Sequence, residues 1–273
     1  MNALHTVPAE IAPGVYEIDA EAYHAGPGAS VSMLRAFADN PARMRFGIRK
    51  ETAAQRFGTL IHCAVLEPDT LDIRFCATDL ERFDSRTAAY KAEVERADGR
   101  ELVKRAELDE ACRIRDAAHA HPIAGELLAP AGLLVERSFY WTCPETGLLL
   151  RGRADGLRPD MRVIVDLKST TDAGPREFSR SAAEYRYHWQ AAHYCDGVTA
   201  AAGWEPEAFI FIAVEKTAPF LVGVYELDAI DMDKARERLS DTKAAFAESL
   251  RNDVWPGHSA SLERLELPEW AHR

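Results

Sequence analysis

The sequence predicts a mixed α/β fold, a central mixed sheet flanked by helices with a helical elaboration before it. Three observations lead there. Strongly charged helical patterning gives way at residue 133 to β-type alternation. The segments from there run as a three-strand meander, a helix, two strands and a helix, which is not a doubly wound βαβα repeat. The 273 residues, 47% hydrophobic and 28% charged, have the composition of an ordinary globular domain.

Residues 1–29, rich in Gly, Pro and Ala, read as an irregular N-terminal arm. Ser30 and Ser32 are placed to cap a short helix over about 31–39, with Met33, Leu34 and Phe37 on its apolar side. Asn40-Pro41 stops it. A second helix is expected over about 53–66, ending at Glu67-Pro68. Residues 86–128 are helical and charged, broken at Ala97-Asp98-Gly99 and at His121-Pro122. Strands follow at Leu133–Thr142, Leu148–Asp155 and Arg162–Lys168, joined by Cys143–Gly147 and by a turn over Leu157–Met161. A helix over about 181–202 ends at Gly203. Strands at Phe209–Val214 and Leu221–Tyr225 join around Pro219, and a helix over about 231–251 ends near Asn252-Asp253. The chain thus divides into an arm (1–29) and one domain (30–273). That domain comprises a helical elaboration (30–130), a core (131–252) and a tail (253–273).

The net charge of −11 runs against binding nucleic acid. The 33 basic residues include only 7 Lys, and arginine's planar fork suits phosphate and carboxylate equally, so charge alone decides nothing. No apolar run approaches the ~20 residues that span a bilayer. The first residues lack the features of a signal peptide, so no membrane partner and a cytoplasmic location are expected. The cysteines at 63, 76, 112, 143 and 195 form no CxxC pair, which argues against disulfides, a zinc centre or an iron–sulfur cluster.

The chemistry concentrates in Val163-Ile164-Val165-Asp166-Leu167-Lys168. Alternation puts Asp166 and Lys168 on one strand face, while Val165 and Leu167 point into the core. A carboxylate beside an ammonium offers one metal ligand and one cation for a phosphate or attacking water. The Leu167 carbonyl between them offers a further hard oxygen. On the preceding strand Arg151, Arg153 and Asp155 share a face, and a hairpin brings Asp155 to Asp166. Two carboxylates are the usual surroundings of Mg²⁺, although oxygen-rich sites accept Mn²⁺ as well. Asp-x-Lys on a strand also occurs as a surface ion pair; the second aspartate across a hairpin is the more specific signal. His62, on an apolar helix, reads either as a hydrogen-bonded core residue or as a metal ligand. Tyr187, Gln190 and Tyr194 fall on one helix face; packing accounts for the tyrosines but not for the glutamine.

The segments GTLIHCAVLEP, VERSFYW, RGRADGL, VDLKST and YRYHWQAAHYCDG, in this order, resemble the exonuclease VIII (RecE)-type C-terminal nuclease. That family lies in the RecB-like branch of the PD-(D/E)XK superfamily. The resemblance runs from about residue 20 to the tail. It implies a restriction-endonuclease-like core and a Mg²⁺-dependent exodeoxyribonuclease. His62, Asp155 and Asp166 would be metal ligands assisted by Leu167, with Lys168 as catalytic lysine and Glu136 supporting the site. Gln190 and Tyr194 would contact the DNA backbone, with Tyr187, Arg151 and Arg153 also facing DNA. The implied reaction is 5′→3′ degradation of linear double-stranded DNA from its ends, leaving 3′ single strands for recombination in a phage or prophage. The implied partners are a homo-oligomeric ring, tetramer or trimer, and a single-strand annealing recombinase. The four cysteines of the iron–sulfur branch are absent. Two other readings stand beside it: a catalytically silent DNA-binding ring or scaffold, and a single-strand or structure-selective nuclease with the same site. A Ser/His/Asp or Cys/His hydrolase is disfavoured, because no G-x-S-x-G occurs.

Overall fold

The computed structural model describes residues 11–48 and 52–272, so residues 1–10 of the expected arm lie outside the described residues. The described part of that arm is more regular than its composition suggests. It forms β1 (Gly14–Tyr16), α1 (Ala20–Ala25) and β2 (Ala29–Ser30). Both strands are recruited by the main sheet, a non-local cause that local composition does not carry: β1 pairs antiparallel with Ser138–Tyr140, and β2 parallel with Leu150 and Arg151.

Side-chain caps set the helices that follow. Ser30 accepts from Met33 N at the start of α2 (Val31–Asp39). Asn40 closes that helix and opens another: its side chain accepts from Arg43 N, and Pro41 takes the first position of α3 (Pro41–Phe46). The expected stop is therefore also a start. Thr52 and Gln55 form a capping box on α4 (Ala53–Leu66). The helical stretch read over 86–128 is less uniform than expected. After α5 (Leu71–Arg74) and β3 (Phe75–Thr78) come α6 (Ala88–Ala97), β4 (Glu101–Lys104), α7 (Arg105–Ala120) and α8 (Pro122–Leu127). Glu101–Lys104 is a strand because it pairs with Phe75–Thr78, and four residues are too few to show a period.

The core comprises β5 (Leu134–Thr142), β6 (Leu149–Arg158), β7 (Val163–Thr170), α9 (Pro175–Glu184), α10 (Tyr187–Ala202), β8 (Ala208–Glu215), β9 (Val222–Glu226) and α11 (Ala229–Asn252). The sheet order is β1-β5-β6-β7-β8-β9, with β2 added beside β6. β5, β6 and β7 form the antiparallel meander; β7 and β8 run parallel through the α9–α10 crossover. The expected mixed sheet flanked by helices is the one observed. β6 runs on to Arg158, where a turn was expected. Buried Arg158 donates to the carbonyls of Leu127 and Ala129 and so closes the end of α8. The single helix expected over 181–202 is instead two, α9 and α10, separated by Arg186 in the left-handed region (φ 52°).

Each sheet face is covered. Ile164, Phe209, Phe211 and Ala213 pack with α2, α10 and α11, whereas Val163, Val165, Leu167, Ile212 and Val214 pack with α4, α7 and α8. Alternation along β7 thus sends Asp166 and Ile164 to one layer and Leu167 to the other. Gly152 on β6 is required by close approach: a Cβ there would sit 2.2 Å from Cζ of Phe139.

Candidate metal centre

β6 and β7 pair only through Gly156–Arg158 and Val163–Val165. Beyond Gly156 they diverge, and the site occupies the gap. The Leu167 amide, left without a ladder partner on that side, donates to Asp155 Oδ2 at 2.8 Å. A strand residue points its N–H and C=O to the same edge, so the Leu167 carbonyl faces the gap too. There it faces the His62 ring, whose pKa burial lowers and the Leu167 carbonyl only partly restores. His62 arrives from the middle of α4, with Nδ1 3.6 Å from Asp155 Oδ2.

Glu136 stands opposite Asp155 on β5, within a register that pairs Val135 with Gly156 and Arg137 with Ala154. Its backbone is left-handed (φ 52°) in mid-strand, an arrangement that costs about 1–3 kcal/mol and persists only where the surroundings enforce it. Two carboxylates directly across a strand pair repel. Arg153 relieves this, with Nε donating to Glu136 Oε2 at 2.6 Å. One ligand atom each from His62, Glu136 and Asp155 lies within 4.8 Å of the others. A cavity of about 460 Å³ opens beside them between α4 and the β5–β6 edge, lined in part by Gln55, Thr59, His62, Glu136 and Arg153.

Asp166 belongs to a second, deeper cluster. Its side chain is 1% exposed. Oδ1 accepts from Gln190 Nε2 at 2.6 Å, and Oδ2 meets the Lys168 ammonium at 2.5 Å. That second contact is off the hydrogen-bond direction, which leaves Oδ2 a buried acceptor with no aligned donor. Gln190 Oε1 accepts in turn from Lys168 Nζ at 3.1 Å. The Tyr187 ring lies under the same ammonium, 4.6 Å from centroid to Nζ.

The electrostatics follow from this crowding. Burial, and then the charge of Asp166, push the Asp155 carboxyl up to about 7. Burial and the charge of Asp155 raise Glu136, against the pull of Arg153. Desolvation lowers His62 and keeps the imidazole neutral, the form that ligates metals. At Lys168 burial works against the charge, but Asp166 and Asp155 outweigh it and the pKa is raised. Two carboxylates, Glu136 and Asp155, forced together beside a neutral imidazole are a donor set that a divalent cation fits.

The residues expected to face DNA mostly take internal partners. Arg151 is 6% exposed and donates to the carbonyls of Tyr23 and Gly26. Arg153 holds Glu136, the Ile18 carbonyl and Ser138. Both arginines tie the N-terminal segment to β6: Arg151 is buried there, whereas Arg153 also holds Glu136 and lines the cavity beside the trio. Tyr194 is buried with its ring edge-on to Phe139, 5.3 Å between centroids. Gln190 bridges Asp166 and Lys168 and is largely buried. Gln55 and Thr59, unnoticed in the sequence, line the cavity; they precede His62 by seven and three residues, the spacing of one helix face.

Residues 30–268 match the model of the family described as a PDDEXK-like domain of unknown function (DUF3799). The chain belongs to this family. No curated protein sequence matches it. Among solved structures, an exonuclease candidate from Eubacterium rectale is similar at 15% identity with a TM-score of 0.64, covering 93% of this chain and 96% of its own. A phage-related exonuclease from Haemophilus somnus shares 13% identity with a TM-score of 0.38, over 83% of this chain and 96% of that one. The first likeness shows a shared fold; the second is too loose to carry an argument. Among the described residues of this PDDEXK-like chain, no helix is long and apolar enough to cross a membrane.

Proposed function

We propose that this PDDEXK-like chain is a metal-dependent DNA exonuclease of the RecE type, acting 5′→3′ on linear double-stranded DNA. The observation that carries the reading is the juxtaposition of His62, Glu136 and Asp155 with the buried Asp166–Lys168–Gln190 cluster where β6 and β7 part. His62, Asp155 and Glu136 would hold a divalent cation, Mg²⁺ or Mn²⁺, with Asp166 Oδ2 and the Leu167 carbonyl completing the oxygen set. The cation would supply Lewis acidity and a water acidified toward neutral pH.

The chain's own groups do the rest. Lys168 presents a fixed ammonium to the charge that develops on a phosphoryl oxygen during displacement. Gln190 accepts from Lys168 and donates to Asp166, which fixes both side chains before substrate arrives. Tyr187 shields the ammonium from one side. Arg153 balances Glu136 and holds that carboxylate beside His62 and Asp155. The resemblance to RecE-type enzymes supports a ring assembly and supply of 3′ strands to an annealing recombinase. An encircling ring would retain DNA by topology, which an acidic surface could not do by charge.

Duplex DNA labelled separately at its 5′ and 3′ ends tests this, with Mg²⁺ or EDTA and with Asp166→Ala as control. Metal-dependent loss of the 5′ label, absent in the variant and on closed circles, is expected. Intact DNA under all conditions, with binding retained, would instead make the chain a silent scaffold; cleavage of single strands alone would make it a single-strand nuclease.

A further inference from the structure

One group of aromatic residues reaches from the buried lysine to the surface. Tyr187, under the Lys168 ammonium, is stacked by Tyr185, with ring centroids 5.8 Å apart and planes 25° apart. Tyr185 is 56% exposed. Residues two apart on an unbroken helix point to nearly opposite sides. These rings can meet only because α9 ends at Tyr185 and Arg186 turns left-handed before α10 begins.

That turn is strained for any L-residue with a side chain and is held on both sides. Arg35 Nη1 donates to the Tyr185 carbonyl at 2.5 Å, and Arg186 Nη1 donates back to the Arg35 carbonyl at 3.3 Å. Arg186 Nη2 pairs with Asp39 at 2.6 Å, and its guanidinium lies over the Trp189 ring. A reciprocal clamp from α2 thus maintains a break whose visible consequence is an aromatic face presented to solvent, one ring away from Lys168.

We propose that Tyr185 is a base-stacking platform for an unpaired nucleobase of the DNA strand at the site. The inference rests on the nuclease reading and narrows its substrate. One face of the Tyr185 ring is taken by Tyr187; among the described residues no other ring packs on Tyr185, and its exposure leaves room for a third π-system. Stacking on tyrosine is tolerant of base identity, as a degradative enzyme requires. A base within a duplex is covered on both faces by its neighbours. The platform therefore selects a strand end that has frayed or been splayed. The stacked base belongs to a nucleotide adjoining the one whose phosphate meets Lys168, because Tyr185 lies one ring further out.

Binding without cleavage tests the platform. Fluorescence anisotropy of a labelled single-stranded oligonucleotide is measured in EDTA and in Ca²⁺, for wild type, Tyr185→Ala and Tyr185→Trp. The same strand with abasic residues at its end is measured alongside. Tyr185→Ala should bind about tenfold to a hundredfold more weakly, and Tyr185→Trp should restore affinity. Abasic residues should weaken the wild type by a similar factor and add nothing to Tyr185→Ala. Unchanged affinity in Tyr185→Ala, an equal abasic penalty in both proteins, or no measurable binding by wild type overturns the platform. Thermal melting confirms that Tyr185→Ala, at an exposed position, keeps its fold. The end-label assay separates the two readings. Cleavage with an indifferent Tyr185 leaves the nuclease and removes the platform, and stacking without cleavage does the reverse.

Discussion

Replacing Asp155 by asparagine should stabilise the metal-free protein at neutral and alkaline pH while eliminating activity. The carboxyl titrates near 3.8 in an unfolded chain and near 7 in the folded one. Between these values the folded state binds more protons, so stability falls as pH rises, and above about pH 7 the whole penalty is present. Three units at about 1.4 kcal/mol each set an upper limit of roughly 4 kcal/mol. Asp155 and Asp166 titrate together, and relaxation of the pair should leave about half of that. Asparagine carries no charge, and its Oδ1 can still accept the Leu167 amide that now bonds to Asp155. A gain of about 2 kcal/mol corresponds to a melting temperature higher by roughly 4–8 °C. Melting curves in EDTA from pH 4 to pH 9 measure this. The difference between Asp155→Asn and wild type should be small near pH 4, grow to about pH 7 and then level off. Mg²⁺ should narrow it, because only the wild type gains from binding the cation. A variant less stable than wild type at pH 8, or a difference flat across the range, would show that the crowded carboxylates do not strain the fold.

Lys168→Ala should lower the single-turnover cleavage rate by about 10²–10³ while changing DNA affinity only a few-fold, since its charge acts on the developing anion. Equal losses in rate and affinity would make it a binding cation. Gly152→Ala should destabilise by about 2 kcal/mol or more in urea unfolding, because the added methyl meets Phe139 in a packed layer. Stability within 0.5 kcal/mol of wild type, the scatter of harmless surface changes, would mean that β5 and α10 can part without strain.

Local pattern alone determined a large part of this protein. Caps at Ser30 and Thr52 and the apolar spacing after them specify α2 and α4, because those interactions span a few residues. Alternation specifies the strands around Asp155 and Asp166 and the face on which Lys168 lies. The short turn between β6 and β7 then brings the two aspartates together. Tertiary structure decided what depends on partners distant in the chain. β2 exists because β6 parts from β7 and leaves an edge to be filled, and β4 exists because β3 is beside it. Arg151 and Arg153 alternate like DNA-facing residues, yet the carbonyls of the N-terminal segment lie within their reach and accept hydrogen bonds from them. Glu136 joins His62 and Asp155 through a left-handed residue in mid-strand, and Tyr185 meets Tyr187 through another at Arg186. Neither is visible in a pattern of hydrophobicity. A strained backbone has no propensity that favours it, and only the packing and hydrogen bonds of the finished fold hold it in place.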